Sequence, residues 1–220
     1  MKFFAINGSP RPKCNTAQLL DKSLEGIKSI FPDAETRRID LYGLDFKGCK
    51  SCFACKKING RHYGCCVSKD DLKPILDEIA EADGIILGSP IYFSDVTGVM
   101  RCFLERWMFP FLAYSKTETV PHKKMPIACI YTMNVSKELS HQIGYHKIHD
   151  HFEMALGMVF TEPEHLYVYE TYQFRDYSKY VSDAFDEAER KQIRKNRFPE
   201  DLKSAFELGS RIAIQAKQHD

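Results

Sequence analysis

Short, unbroken apolar runs alternate with amphipathic stretches along most of this chain, a pattern that predicts parallel strands joined by helices. Lys2 to Asn7 (KFFAIN) reads as a buried first strand. Asn15 to Ser29 follows with Leu19, Leu20, Leu24 and Ile27 at near-helical spacing. Ala34 to Leu41 is a charged second strand, placed near a sheet edge. Asp70-Asp71 marks a helix start, because carboxylates favour the positive end of a helix. Leu72, Ile75, Leu76 and Ile79 then form one apolar stripe. Gly84 to Ser89 (GIILGS) is apolar throughout, as a central strand covered on both faces requires. A helix over Val99 to Trp107, a buried strand over Pro126 to Thr132 and a helix over Leu139 to Ala155 come next. His165 to Tyr169 makes a fifth strand, and a last helix runs from about Glu200 to Lys217.

Five strands alternating with helices pair in parallel through right-handed crossovers. The expected fold is α/β: a doubly wound, five-stranded parallel sheet of order 2-1-3-4-5 in a three-layer α/β/α sandwich. Residues 1–220 are expected to form a single domain. Two segments break the repeat. A Cys-rich insertion covers about 48–69, and a polar, aromatic extension covers about 171–199.

The totals narrow the function classes. With 31 Lys and Arg against 30 Asp and Glu, net charge is +1 and gives no reason to expect nucleic acid. The apolar run Phe3 to Ile6 is too short for a signal peptide or a membrane span, so a cytoplasmic protein is expected. Asn134-Val135-Ser136 fits the glycosylation pattern and is read as chance.

Two motifs carry candidate chemistry. GSPRPKCNT, residues 8–16, lies between the first strand and a helix start. A phosphate there meets free backbone N–H groups and the helix dipole. Ser9, Asn15 and Thr16 add short donors, and Arg11 adds a full charge. The blander alternative is a plain N-cap at Asn15 or Thr16. No G-x-G-x-x-G or G-K-[ST] is present, which disfavours the dinucleotide fold and the P-loop. GSPIYFSDVTGVMRCFLER, residues 88–106, follows the third strand. Order 2-1-3-4-5 puts the switch in winding between strands one and three, so both motifs converge on one crevice. Pro90 restricts this second loop, and Tyr92 and Phe93 offer flat apolar surface for an aromatic ring.

The pair GSPR…NT and GSPIYF…G…R-x-F-L-E-R resembles the NAD(P)H-dependent FMN reductase family of flavodoxin-like proteins, over about residues 1–135. The resemblance implies a phosphate grip at Ser9, Arg11, Asn15, Thr16 and Ala17. It implies an isoalloxazine wall at Pro90, Ile91, Tyr92, Phe93 and Ser94, with Thr132, Met133 and Asn134 completing the ring site. The family usually has Gly before the Asn-Thr pair, where this chain has Cys14. The cofactors implied are FMN and NAD(P)H as electron donor. The activity implied is electron transfer from a nicotinamide through flavin to a flavin, quinone or nitro compound. No catalytic acid, base or nucleophile stands out, in keeping with chemistry that belongs to the cofactor. The partners implied are a small-molecule acceptor and a second copy of the chain, as a homodimer or higher homo-oligomer. The compact patch Trp107 to Leu112 is an interface, a wall over the flavin, or core.

Five of eight cysteines lie between Cys49 and Cys66. Cys49-x2-Cys52-x2-Cys55 has spacing for three corners of an iron–sulfur cluster, with a fourth ligand from Cys65 or Cys66. This arrangement resembles the iron-sulfur flavoprotein branch of the same superfamily, which places a compact cysteine motif before an Asp-Asp helix start. The alternative function is therefore an electron carrier with a [4Fe-4S] cluster on Cys49, Cys52, Cys55 and Cys65. Relic cysteines packing a loop, a redox switch, and structural zinc remain alternatives. Otherwise no metal site is expected. His146 and His149 share one helix spacing and read as a solvated face, as do Arg190, Lys191, Arg194, Lys195 and Arg197. Cys102 and Cys129 read as inert core.

Overall fold

A computed structural model describes residues 1–218. In its first half the elements are β1 (Lys2–Asn7), α1 (Asn15–Ile30), β2 (Glu35–Asp40), α2 (Leu72–Ile79), β3 (Gly84–Tyr92), β4 (Asp95–Val96) and α3 (Gly98–Met108). The second half adds β5 (Ile127–Thr132), α4 (Lys137–Gln142), α5 (Tyr145–Val159), β6 (Glu164–Val168), α6 (Glu187–Asn196) and α7 (Phe198–Lys217). The sheet order is β2-β1-β3-β5-β6, every neighbour parallel, with the two-residue β4 folded back antiparallel on β3. This is the expected doubly wound order with one short strand added.

Alternation within the continuous apolar strands builds two cores. Ile85 and Leu87 of β3 face α2, α3 and α5, together with Phe4, Cys129 and Tyr131. Ile86 faces α1 and α7, together with Phe3, Ala5 and Ile130. Each fully buried Leu or Ile contributes about 1.5–3 kcal/mol, so burial rather than helix propensity holds the outer layers on the sheet. Trp107 is 2% exposed and stacks on Phe160 at 4.3 Å between ring centroids, which assigns that part of the aromatic patch to the core.

Three expectations change. The helix expected over 139–155 is two helices, broken at Gly144, whose φ of +81° suits glycine. His149 is not solvated: it is fully buried, stacked on Tyr131 at 4.2 Å. The basic run of the extension is not a uniformly exposed face either. Asp186 caps α6 through Ala188 N–H at 2.8 Å, and this turns Arg190 inward, 7% exposed and 3.3 Å from Glu170 Oε1. No helix among the described residues is long and apolar enough to cross a membrane.

Candidate functional site: three loops at the β1–β3 switch point

The first loop leaves β1 beside β3 and is tied down at once. Gly8 N–H donates to Gly88 C=O at 2.8 Å, and Thr97 Oγ donates to Gly8 C=O at 2.7 Å. Asn7 Oδ1 accepts from Ser9 N–H at 3.0 Å, and Ser9 Oγ accepts from Arg11 N–H at 3.2 Å. The loop delivers the chain into α1, where Asn15, Thr16 and Ala17 are all buried. Cys14 is the N-cap residue, yet its side chain makes no capping bond, and the first turn holds no acidic residue. A helix start whose first N–H groups have no side-chain cap can receive an anion. Cys14 has φ −100°, so the position does not demand the glycine usual in the family.

The second loop is tighter than its sequence implied. Ile91 pairs with Val96 and Tyr92 with Asp95, leaving Phe93 and Ser94 as a two-residue hairpin turn. Both are left-handed, at φ +50° and +74°, the geometry of a type I′ turn. Such turns favour Asn and Gly, and a Phe there carries strain of order 1–3 kcal/mol. Phe93 gains no packing in return, being fully exposed beside a 41% exposed Tyr92, while Pro90 beneath is buried. A strained, bare aromatic at a strand's carboxyl end fits a surface for a flat ring.

The third loop follows β5. Thr132 Oγ and Thr16 Oγ are 2.8 Å apart, so the third loop is bonded to the first turn of α1. Asn134 donates to Gln173 Oε1 at 3.1 Å, while its own buried Oδ1 has no partner. The residues present thus fit FMN: an uncapped helix start for a phosphate, bare aromatics for a ring, and an orphan acceptor on the third loop. The loops bring Ser9, Arg11, Asn15, Thr16, Ala17, Thr132 and the 90–94 hairpin to one end of the sheet.

Sequence reasoning missed what the extension does here. Arg11 Nη1 donates to Gln173 C=O at 2.7 Å, and Asn15 Nδ2 donates to Tyr172 C=O at 3.0 Å. Arg194 reaches Asn15 Oδ1 at 2.5 Å. The only signal was the density of Arg and Lys in 190–197, which alone fits solvent equally well.

Next to Thr132 lies a polar cluster, buried at Tyr131 and Glu153 and open to solvent at His165. Tyr131 donates to Glu153 Oε1 at 2.8 Å, and His165 Nδ1 lies 3.0 Å from Glu153 Oε2. That bond raises the His165 pKa, whereas burial lowers that of His149 and pushes Tyr131 well up.

The cysteine loop packs on α3. Cys49 N–H donates to Glu105 at 3.0 Å, Lys56 donates to the carbonyls of Phe109, Pro110 and Leu112, and Arg106 Nε donates to Cys66 Sγ at 2.9 Å. Left-handed Ser51 and Phe53 curl the chain around Cys52. Cys49, Cys52, Cys55 and Cys66 line one small cavity. Cys65 is not among them: its Sγ points to Cys66 C=O and Asp77. Adjacent residues on extended chain face opposite ways, which spacing alone did not resolve. Among the described residues no three His, Cys, Asp or Glu donors are arranged to hold a single metal ion.

The sequence profile described as NADPH-dependent FMN reductase matches residues 1–163. The chain belongs to this family. An iron-sulfur flavoprotein of Archaeoglobus fulgidus is 42% identical over 106 residues, 48% of this chain and 48% of that protein. The chain spans about half the length of the curated relatives it matches. Among solved structures, the NAD(P)H:quinone oxidoreductase from Methanothermobacter marburgensis superposes with a TM-score of 0.68 at 14% identity, covering 96% of both chains. An archaeal flavodoxin superposes with a TM-score of 0.53 at 16% identity, covering 99% of both. At such identities these likenesses concern the fold, which is flavodoxin-like.

Proposed function

We propose that this family member holds FMN in the β1–β3 crevice and passes electrons from NAD(P)H to a small-molecule acceptor such as a flavin or quinone. The observation that carries the reading is the convergence of an uncapped helix start, a strained aromatic hairpin and an orphan Asn134 oxygen on one crevice. Asn15, Thr16, Ala17 and Arg11 would hold the phosphate. Pro90 to Ser94 would flank the ring, and Thr132 would brace the two against each other. FMN supplies two-electron chemistry between a nicotinamide and an acceptor. The protein's share is to hold the ring at the rim, with one face left open by the exposed hairpin. The test is purification of the full chain, identification of bound flavin by mass, and NAD(P)H oxidation with and without an added quinone. Absence of flavin after reconstitution with FMN sinks the reading.

A second reading is favoured by the cysteine loop. Four thiols lining one cavity are a soft donor set suited to an iron–sulfur cluster. On this reading Cys49, Cys52, Cys55 and Cys66 would hold it, and the protein would exchange single electrons with a partner. Anaerobic purification is expected to give iron and sulfide in the wild type and in Cys65→Ser, and a loss of most of both in Cys66→Ser. Equal losses in the two variants, or none in either, count against this ligand set.

We also infer a homodimer. α3 and α5 border an apolar cleft of about 830 Å³ lined by Leu104, Met108, Ile148 and Met158, with Met154 and Met158 of α5 largely exposed. Such a face seeks cover. Light scattering is expected to give twice the chain mass, and Met158→Glu is expected to shift it to the monomer.

A further inference from the structure

The extension between β6 and α7 carries three buried or half-buried arginines, Arg190, Arg194 and Arg197, and their partners differ in one respect. Arg190 and Arg197 lie on Glu170, at 3.3 and 2.8 Å, and Lys191 lies on Glu187 at 2.6 Å. Arg194 has no carboxylate within 4.0 Å among the described residues. Its guanidinium spans Asn15 Oδ1 at 2.5 Å and Gln18 Oε1 at 2.9 Å, both on the first turn of α1. The Phe198 ring, 3.5 Å from the guanidinium carbon, fixes its plane. Burial pulls its pKa below the ordinary Arg value, and Asp201 and Cys14 act on it only through space. Arg11, in the loop that leads into the same helix start, donates to a backbone carbonyl, Gln173 C=O. Two guanidiniums bonded to neutral oxygens therefore lie near a helix start that has no side-chain cap.

A half-buried guanidinium bonded only to amides forgoes the stronger bonds it makes to an anion. If Arg194 served only to dock α6, a carboxylate partner like that of Arg190 and Arg197 would serve that role. We propose that Arg194 is a ligand of the FMN 5′-phosphate, brought to the α1 start by the extension, and that it sets the preference for FMN over unphosphorylated riboflavin. Arg194 turns its free N–H groups to the phosphate while Phe198 keeps the guanidinium in place. Asn15 links Arg194 to Tyr172 at the other end of the extension, accepting from the guanidinium and donating to Tyr172 C=O. The extension is thereby part of the cofactor site, outside the residues 1–163 that match the family.

The inference rests on the FMN reading above, and the test separates the two. The full chain is stripped of flavin, and FMN and riboflavin are titrated separately into wild type, Arg194→Gln and Arg194→Lys, with fluorescence as the readout. Wild type is expected to bind FMN more tightly than riboflavin. Arg194→Gln is expected to weaken FMN roughly 10- to 100-fold and leave riboflavin within about twofold, with Arg194→Lys between. A parallel loss of both flavins in Arg194→Gln shows a scaffolding role and overturns the proposal, as does an unchanged FMN affinity. Wild type that binds neither flavin overturns the FMN reading itself, and the role of Arg194 with it.

Discussion

Gly209→Ala is expected to lower stability by about 2 kcal/mol or more, although alanine is the better helix former. α7 crosses α1 with backbone against backbone. A Cβ built on Gly209 lies 1.9 Å from Ser23 C=O, and one on Gly26 lies 2.0 Å from Phe206 C=O. Ser210 Oγ donates to Gly26 C=O at 3.1 Å and reinforces the contact. In an exposed helix, Gly to Ala gains about 1 kcal/mol. Here the obstructing atoms are main chain, so the helices must separate, and every side chain between them loses packing. The overpacking cost of about 3 kcal/mol exceeds the propensity gain. A urea midpoint measurement checks the sign. Gly43→Ala, with nothing within 4 Å of its Cβ, is the control and is expected to stay within about 0.5 kcal/mol of wild type. An unchanged or raised midpoint in Gly209→Ala contradicts the close crossing. The same variant is expected to weaken flavin binding, because the packing that anchors α1 also sets where its N-terminus points.

The parts of this molecule that are legible in its sequence are those governed by local period. β1, β3 and β5 are continuous apolar runs because both faces of the sheet are covered, and their order follows from right-handed crossovers. That the loops after β1 and β3 lie side by side was legible because each follows a strand at the switch point. What escaped was non-local or atypical. Arg194 lies 179 residues from its partner Asn15, and nothing in a basic helix says which turn will face inward. The hairpin at Phe93-Ser94 lacks the Asn-Gly signal of a type I′ turn, since strain takes the place of propensity there. The choice between Cys65 and Cys66 depends on which side of the backbone faces the cavity. His149 looked like a surface histidine because its partners, buried Tyr131 and half-buried Tyr167, come from strands that the helix crosses only in three dimensions.

Arg106→Met is expected to destabilise the protein by about 2–3 kcal/mol and to free the cysteine loop. Arg106 ends the R-x-F-L-E-R motif and is 2% exposed. Its guanidinium meets Asp70 through two bonds, at 2.8 and 3.1 Å, and donates to Lys47 C=O at 2.9 Å as well as to Cys66. The residue therefore joins both ends of the cysteine insertion to α3. Methionine replaces most of the side-chain volume, so the cost is mainly polar: Asp70 and the Lys47 carbonyl lose their donor. Because part of the penalty is an uncompensated carboxylate, Arg106→Met with Asp70→Asn is expected to be more stable than Arg106→Met alone. The pH dependence gives a second check. Arg106 holds the Asp70 pKa below its ordinary value, so folding gains from the ionised form. That gain is present above about pH 4, the unfolded value, and is lost as pH falls through the lower folded value. Between about pH 4 and pH 2 wild type is thus expected to lose more stability than Arg106→Met. Limited proteolysis within residues 48–69 supplies the structural readout, with faster cleavage expected in the variant. A variant that matches wild type in both stability and cleavage would show that the loop is held by Lys56 and Glu105 alone.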